Sequence, residues 1–234
     1  MRLILTAHGS ADPRSAATTH AVAEQVRALR PALNVQVAFC EQNSPNLGDA
    51  LSASEEPAVV TPLLLASAYH ARTDIPAMIA AAGADVIQAD TLGEDPRLIA
   101  VMRERLAQHQ IHNFERGLGV LVVAVGSSHA TANARTSSIA DTLARGTRWS
   151  GVQVAYATGP QPSVLDGMEH LRRHGARRIV VAPWFIAPGR ITDRVAAIAD
   201  ANGLSMVAPL GAHPLVAETV LDRFDHAVAA RAAA

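Results

Sequence analysis

The sequence predicts an α/β protein of two tandem doubly wound parallel-sheet halves, related by internal duplication, with a cleft between them. Two observations carry this reading. The first is a repeat: LTAHGSA (5–11) aligns with VVAVGSS (122–128) and VQVAFCE (35–41) with VQVAYAT (152–158), both at an offset of 117 residues. VVTPLLLA (59–66) aligns with VVAPWFIA (180–187) at 121, and LGEDPRL (92–98) with LGAHPLV (210–216) at 118. Four blocks in one order at nearly constant offsets mark a duplicated unit. The halves are read as 1–116 and 117–234, meeting near NFERGLG (113–119). The second observation is texture: in each half continuous apolar runs alternate with amphipathic stretches, as in strands buried between two layers of helices.

In the first half the strands are read as RLILTA (2–7), VQVAFC (35–40), AVVTPLLLA (58–66) and ADVIQA (84–89). Between and after them, helical stretches are read around 16–30, 46–54, 75–82 and 96–108. GSADP and GSSHA each follow a strand and precede a helix, so Ser10 is placed either to cap a helix or to offer donors to an anion there. TDIP (73–76) starts another helix, with Pro76 in its first turn and Thr73 or Asp74 as cap; capping alone accounts for Asp74. Right-handed crossovers put the carboxyl ends of the parallel strands along one edge of each sheet, where ligands of open α/β folds bind.

Three residues just after first-half strands can bind metal or move protons: His8, Glu41 and His70. Two imidazoles and a carboxylate suit a divalent first-row ion. The second copy serves as an internal control. At the matching positions it carries Val125, Thr158 and Ile191, so the scaffold was kept and all three polar groups were lost. A histidine needed for packing would be needed twice, and the loss therefore favours chemistry performed once. His20, His109, His112, His170, His174 and His226 fall on polar helical or linker stretches and read as solvated, while His129 and His213 border the strand-end turns. Cys40 reads as a small buried residue with an inert thiol.

Composition narrows the partners. The chain of 234 residues is 49% hydrophobic, with net charge −1 and pI about 6.8, so its overall balance lacks the basic excess of a nucleic-acid binder. No segment approaches the roughly 20 apolar residues of a membrane span. MRLILTAHGS is too brief for a secretory core, and one cysteine allows no intrachain disulfide, so the cytoplasm is the expected compartment. All 20 basic residues are arginines. The planar guanidinium suits two-point binding of carboxylates.

HGSADPRS, AFCEQNSPNL, PLLLASAYHARTDIP and LGEDPRL, followed by a degenerate second round with GSSHATANA and PWFIAPGR, resemble the two-repeat sirohydrochlorin chelatases of the CbiX and SirB type. The resemblance spans essentially the whole chain. It implies a class II chelatase, with two α/β halves around an active-site cleft and no nucleotide or organic cofactor. It further implies His8 and His70 as the metal-handling pair, with Glu41 as the acidic member. Two departures stand out: Ala68, before Tyr69, occupies a position where the family usually has Gly, and His129 stands where an acidic residue is common.

The resemblance implies insertion of a divalent metal into a polycarboxylate tetrapyrrole with release of two protons. Fe2+, giving sirohaem, is the expected metal and Co2+, for the cobalamin route, is the alternative, since N and O ligands accept both. His8 and His70 would handle the metal and accept protons, Glu41 would act as ligand or as partner to an imidazole, and Ser10, Arg14 and Arg72 would meet substrate carboxylates. A metal or tetrapyrrole carrier without turnover is the reading from another class. Both walls of the cleft come from one chain, so a monomer is expected.

Overall fold

In the computed structural model the described residues are 1–67, 70–83 and 85–233, and of His70 only the backbone is described. The chain forms two compact units: unit 1 comprises Met1–Asp95 with Ala212–Ala234, and unit 2 comprises Pro96–Gly211.

Unit 1 holds β1 (Arg2–Ala7), α1 (Pro13–Leu29), β2 (Val35–Phe39), α2 (Leu47–Ser52), β3 (Ala58–Pro62), a π-helical turn (His70–Asp74), α3 (Ile75–Ala82) and β4 (Val86–Gln88). Its strands are all parallel, in the order β2-β1-β3-β4. Unit 2 holds α4 (Pro96–Gln108), β5 (Leu118–Ala124), α5 (Ala130–Ser137), α6 (Ile139–Ala144), β6 (Gly151–Tyr156), α7 (Val164–Arg173), β7 (Arg178–Pro183), α8 (Arg190–Ala201) and β8 (Ser205–Met206). Its order is β6-β5-β7-β8, again parallel, and α9 (Pro214–Ala232) returns to unit 1.

The pairing register repeats with the sequence. Ala7 opposes Phe39 in unit 1 as Ala124 opposes Tyr156 in unit 2, and Thr6 opposes Pro62 as Val123 opposes Pro183. Leu3, Ile4 and Leu5 of β1 are fully buried, as are Val120 to Val123 of β5, which is why both strands read as unbroken apolar runs. The run 58–66 is longer than the strand it contains. β3 ends at Pro62, after which Leu63 N–H donates to Thr6 O and Leu64 O accepts from Leu92 N–H, so the chain leaves the ladder while still tied to its neighbours.

On one face of the unit 1 sheet, Ile4, Ala38 and Val60 pack with Leu47, Leu51 and Ile75 of α2 and α3. On the other, α1 packs with α9, which buries Val216, Val220 and Phe224 and also contacts β3. In unit 2, α7 and α8 cover one face, and α4 packs against α6 with Leu98, Val101 and Met102 buried. The last helix of each sequence repeat thus belongs to the other compact unit. The units therefore divide the chain differently from the repeats at 1–116 and 117–234. Each unit must cover both sheet faces, and the helix that completes the cover comes from the opposite repeat. Two ion pairs link α9 to the rest of unit 1: Arg30 holds Asp225 at 2.6 Å, keeping its carboxyl below the usual range, and Arg231 pairs with Asp85. No helix among the described residues is long and apolar enough to cross a membrane.

Candidate active site

In unit 1 the order β2-β1-β3-β4 places the topological switch beside β1, where loops from neighbouring strands diverge and leave a crevice. His8 follows β1 directly, Glu41 follows β2 by one residue, and the His70 turn follows β3. Cys40 N–H donates to Ala7 O and Glu41 N–H to His8 O, both at 3.0 Å, so the pairing continues past the strands and carries the two residues side by side. His8 Nε2 lies 3.3 Å from Glu41 Oε1, and Gln42 Nε2–H donates to the same oxygen at 2.7 Å. Their side chains are 37% and 51% exposed, open enough to reach an incoming ligand.

Gly9 makes this approach possible. Its φ is +99°, and a Cβ there would sit 1.8 Å from Glu41 O. Any side chain would force the first and second strand-end loops apart. Asn43 locks the turn, its Oδ1 accepting from Ser10 N–H at 2.7 Å. Ser10 Oγ accepts from Asp12 N–H, Asp12 caps α1 through Arg14 N–H, and the Arg14 side chain forms a two-point pair with the Asp12 carboxylate. Ser10 and Arg14 are thereby built into the loop that carries His8.

The π-helical turn starts at His70, whose side chain lies outside the described residues, as do Ala68 and Tyr69. Ala71 O accepts from Gln88 Nε2–H at 2.7 Å, tying the turn to β4, and Arg72 is exposed on it. The capping role expected for Asp74 is not what the structure shows. Asp74 has helical φ and ψ of −69° and −50° and makes no side-chain cap bond, because the turn runs straight into α3 and leaves no extended cap position. Cys40 is buried, and burial, reinforced by the carboxylates of Asp74 and Glu41, pushes its thiol up to about 11. It is the inert thiol the sequence suggested.

The same backbone recurs in unit 2 without the imidazole and the carboxylate. Thr158 N–H donates to Val125 O at 3.0 Å, as Glu41 does to His8, and the Thr158 hydroxyl turns back onto the same carbonyl at 2.7 Å. Gly126, at φ +94°, would place a Cβ 1.9 Å from Gly159 O. Ser127 Oγ accepts from His129 N–H, matching Ser10 and Asp12, yet the His129 side chain makes no cap bond to α5. Asn133 of α5, from a different element than Asn43, accepts from Ser127 N–H at 3.0 Å. A hollow of about 530 Å³ lies at these strand ends, lined among others by Ser127, Ser128, Asn133, Thr158 and Gly159.

His213, the second residue read at a strand-end turn, caps α9 instead, its Nδ1 accepting from Leu215 N–H at 3.1 Å. The other histidines are peripheral: His20 meets Phe39 edge to face, and His170 stacks on His174. Gly9, Gln42 and Asn43 shape this site without bearing a chemical group that would single them out in the sequence. Gly9 had a signal in its repeat Gly126; Asn43 had none, since unit 2 takes the equivalent amide from another element. The described residues contain no group of three or more His, Cys, Asp or Glu side chains able to hold a metal ion, and the pair His8 and Glu41 is what they bring together here. An imidazole against a carboxylate can accept a proton and offer a nitrogen and oxygens to a divalent cation.

The CbiX family pattern matches the chain twice, over residues 2–109 and 119–227. A sirohydrochlorin ferrochelatase of Priestia megaterium is 25% identical over 169 residues, covering 68% of this chain and 63% of the relative. A sirohydrochlorin cobaltochelatase of the same organism is 23% identical over 205 residues, covering 82% of this chain and 66% of the relative. The chain thus spans just under two thirds of the length of both. SirB from Bacillus subtilis, solved with Fe3+, has the same fold: TM-score 0.83 at 18% identity, over 97% of this chain and 96% of that one.

Proposed function

This chain belongs to the CbiX family, and on that premise we propose that it inserts a divalent metal into sirohydrochlorin. In this reaction two pyrrole N–H protons leave the macrocycle and one M2+ enters, so charge and atoms balance with the metal as a substrate. The chemistry asks for groups that hold the ion weakly on one face of the ring and accept protons as the nitrogen lone pairs turn to it. The observation that carries the reading is the contact of His8 with Glu41 at the strand ends of unit 1, set against Val125 and Thr158 on the same backbone in unit 2.

In this reading His8 and His70 handle the metal and take up the protons. Glu41 orients the His8 imidazole and raises its basicity, or offers its own oxygen to the ion. Half-exposed donors suit a site that must release its ion to the macrocycle. Arg72 and Ser10 would meet the peripheral carboxylates, and Arg14 would do so by exchanging Asp12 for a substrate carboxylate. Iron is the first choice of metal and cobalt the second, in keeping with the names of the two Priestia relatives. The enzyme would act as a cytoplasmic monomer.

The test is to mix purified protein with metal-free sirohydrochlorin and Fe2+ or Co2+ and follow the absorbance change, using His8→Ala and His70→Ala as comparators. Both variants are expected to fall to the spontaneous rate. Equal rates for wild type and variants, after subtracting spontaneous insertion, would sink the reading and leave a carrier in its place.

A further inference from the structure

The near-zero net charge conceals a segregation. Unit 1 carries 7 arginines against 14 aspartates and glutamates, while unit 2 carries 13 arginines against 7. Their formal charges are therefore −7 and +6. Divided by repeat, at 1–116 and 117–234, the same residues give only −4 and +3. The exchange of α4 and α9 sharpens the contrast, because α4 brings Arg97, Arg103 and Arg105 against Glu104 to unit 2, a net +2, and α9 brings Glu218, Asp222 and Asp225 against Arg223 and Arg231 to unit 1, a net −1. The two substrates of the proposed reaction have opposite charge, a divalent cation and a polycarboxylate.

Within unit 2, two arginines stand at the strand-end face. Arg190 opens α8 after β7 and is exposed. Arg194, one turn on and also exposed, donates from Nη2 to Ala157 O at 2.8 Å, which fixes its guanidinium beside Thr158 and hence at the rim of the 530 Å³ hollow. Asp193 is the acidic residue between them on α8, and the lining of the hollow contains no carboxylate.

We infer that the strand-end face of unit 2 is the landing surface for the polycarboxylate macrocycle, with Arg190 and Arg194 as its first contacts. The inference rests on the chelatase reading for the identity of the polyanion. The second repeat then has a task of its own: it lost the metal-handling groups and became the half that gathers the anionic substrate, while the acidic unit 1 favours approach of the cation. Fields of this kind accelerate encounter with an opposite charge and are screened over about 8 Å at physiological ionic strength.

The experiment is stopped-flow binding of metal-free sirohydrochlorin to the full chain without metal, from low to high NaCl, alongside the steady insertion rate. Arg190→Glu with Arg194→Glu is expected to slow association about 10-fold at low salt and to flatten its salt dependence. Arg190→Gln with Arg194→Gln should fall between. Arg172→Glu with Arg173→Glu makes the same charge change at the end of α7, on the opposite edge of the same sheet, and is expected to slow association far less. Equal loss in both Glu pairs, or association indifferent to salt and to Arg190 and Arg194, would overturn the inference. Tighter binding of a duplex DNA oligonucleotide than of the macrocycle at matched salt would overturn it too. Absence of insertion by wild type with association still dependent on Arg190 and Arg194 would instead remove the chelatase reading alone.

Discussion

After its first strand, unit 1 has His8 where unit 2 has Val125; after its second, unit 1 has Glu41 where unit 2 has Thr158. The backbone around them is the same in both units, down to a glycine of positive φ whose Cβ would collide with a carbonyl of the adjacent loop. Two copies of one loop, one with titratable groups and one without, separate what the fold requires from what the proposed chemistry would add. The fold requires the glycine, the serine that receives a backbone N–H two residues on, and an asparagine to pin the turn. It does not require an imidazole or a carboxylate, since unit 2 folds without either.

Exchanging the residues between units puts this contrast under the greatest strain. His8→Val with Glu41→Thr gives unit 1 the side chains that unit 2 tolerates on the same backbone. Insertion is expected to fall by about 10²- to 10⁴-fold, the usual worth of positioned acid and base groups, while the urea midpoint stays close to wild type. The reverse exchange, Val125→His with Thr158→Glu, is expected to add no insertion activity when combined with His8→Val and Glu41→Thr. Restored activity in that four-site variant would erase the distinction between the units. A large loss of stability on exchanging unit 1 would mean that His8 and Glu41 hold the fold after all.

A smaller effect tests the shared part. Gly9→Ala and Gly126→Ala each place a methyl group less than 2 Å from a backbone carbonyl, at φ of +99° and +94°. Both are expected to cost about 3 kcal/mol in denaturant unfolding, because each loop must open at a strained backbone position. Their activities should diverge. Opening the first loop separates His8 from Glu41, so Gly9→Ala loses insertion even when fully folded, whereas Gly126→Ala opens a loop that lines the unit 2 hollow, slows macrocycle association, and keeps most of the insertion rate at saturating macrocycle. Similar activity in the two variants would show that the spacing of His8 and Glu41 matters less than the contrast holds.

Much of this was legible in the chain. The repeat and its apolar runs fixed the strands because strands buried on both faces leave no polar positions to blur them, and helices read at 75–82 and 96–108 are α3 and α4 as they stand. His8 and Glu41 could each be placed at a strand end from sequence, with His70, but their contact with one another follows from the adjacency of β1 and β2, which only the structure shows. The helix exchange could not be read. Amphipathic α4 and α9 show that they cover something, and nothing in their sequences says which sheet. The charge segregation was hidden for the same reason, as it depends on which unit receives those helices. Nor could the π-helical turn be foreseen, since TDIP looks like an ordinary capped start, and only the uninterrupted helical path through Asp74 shows otherwise.

The exchanged helices offer the finest comparison, between two arginines at equivalent repeat positions. Arg105 of α4 donates to Pro209 O at 3.2 Å and Leu210 O at 2.9 Å; Arg223 of α9 donates to Thr91 O at 3.1 Å and Leu92 O at 2.9 Å. Each fastens an exchanged helix to the loop that opens the LGxxP block of the repeat it joins. They differ in their remaining partners: Arg105 donates to Gln108 Oε1 at 3.1 Å on its own helix where Arg223 pairs with Asp222, and Arg223 alone of the two also meets Asp95 at 3.0 Å, a carboxylate only 7% exposed, whose repeat counterpart is the capping His213. Bonds to a charged group contribute more than bonds to carbonyls, so Arg223→Ala is expected to cost about 2 kcal/mol and Arg105→Ala about 1 kcal/mol, read as shifts in the urea midpoint at constant slope. Adding Asp95→Asn should recover part of the loss in Arg223→Ala, since it removes the buried charge that Arg223 had offset. Equal costs for the two arginines, with no recovery from Asp95→Asn, would mean that the carbonyl contacts alone fasten the helices and that the Asp95 charge adds nothing at the point where the chain leaves unit 1.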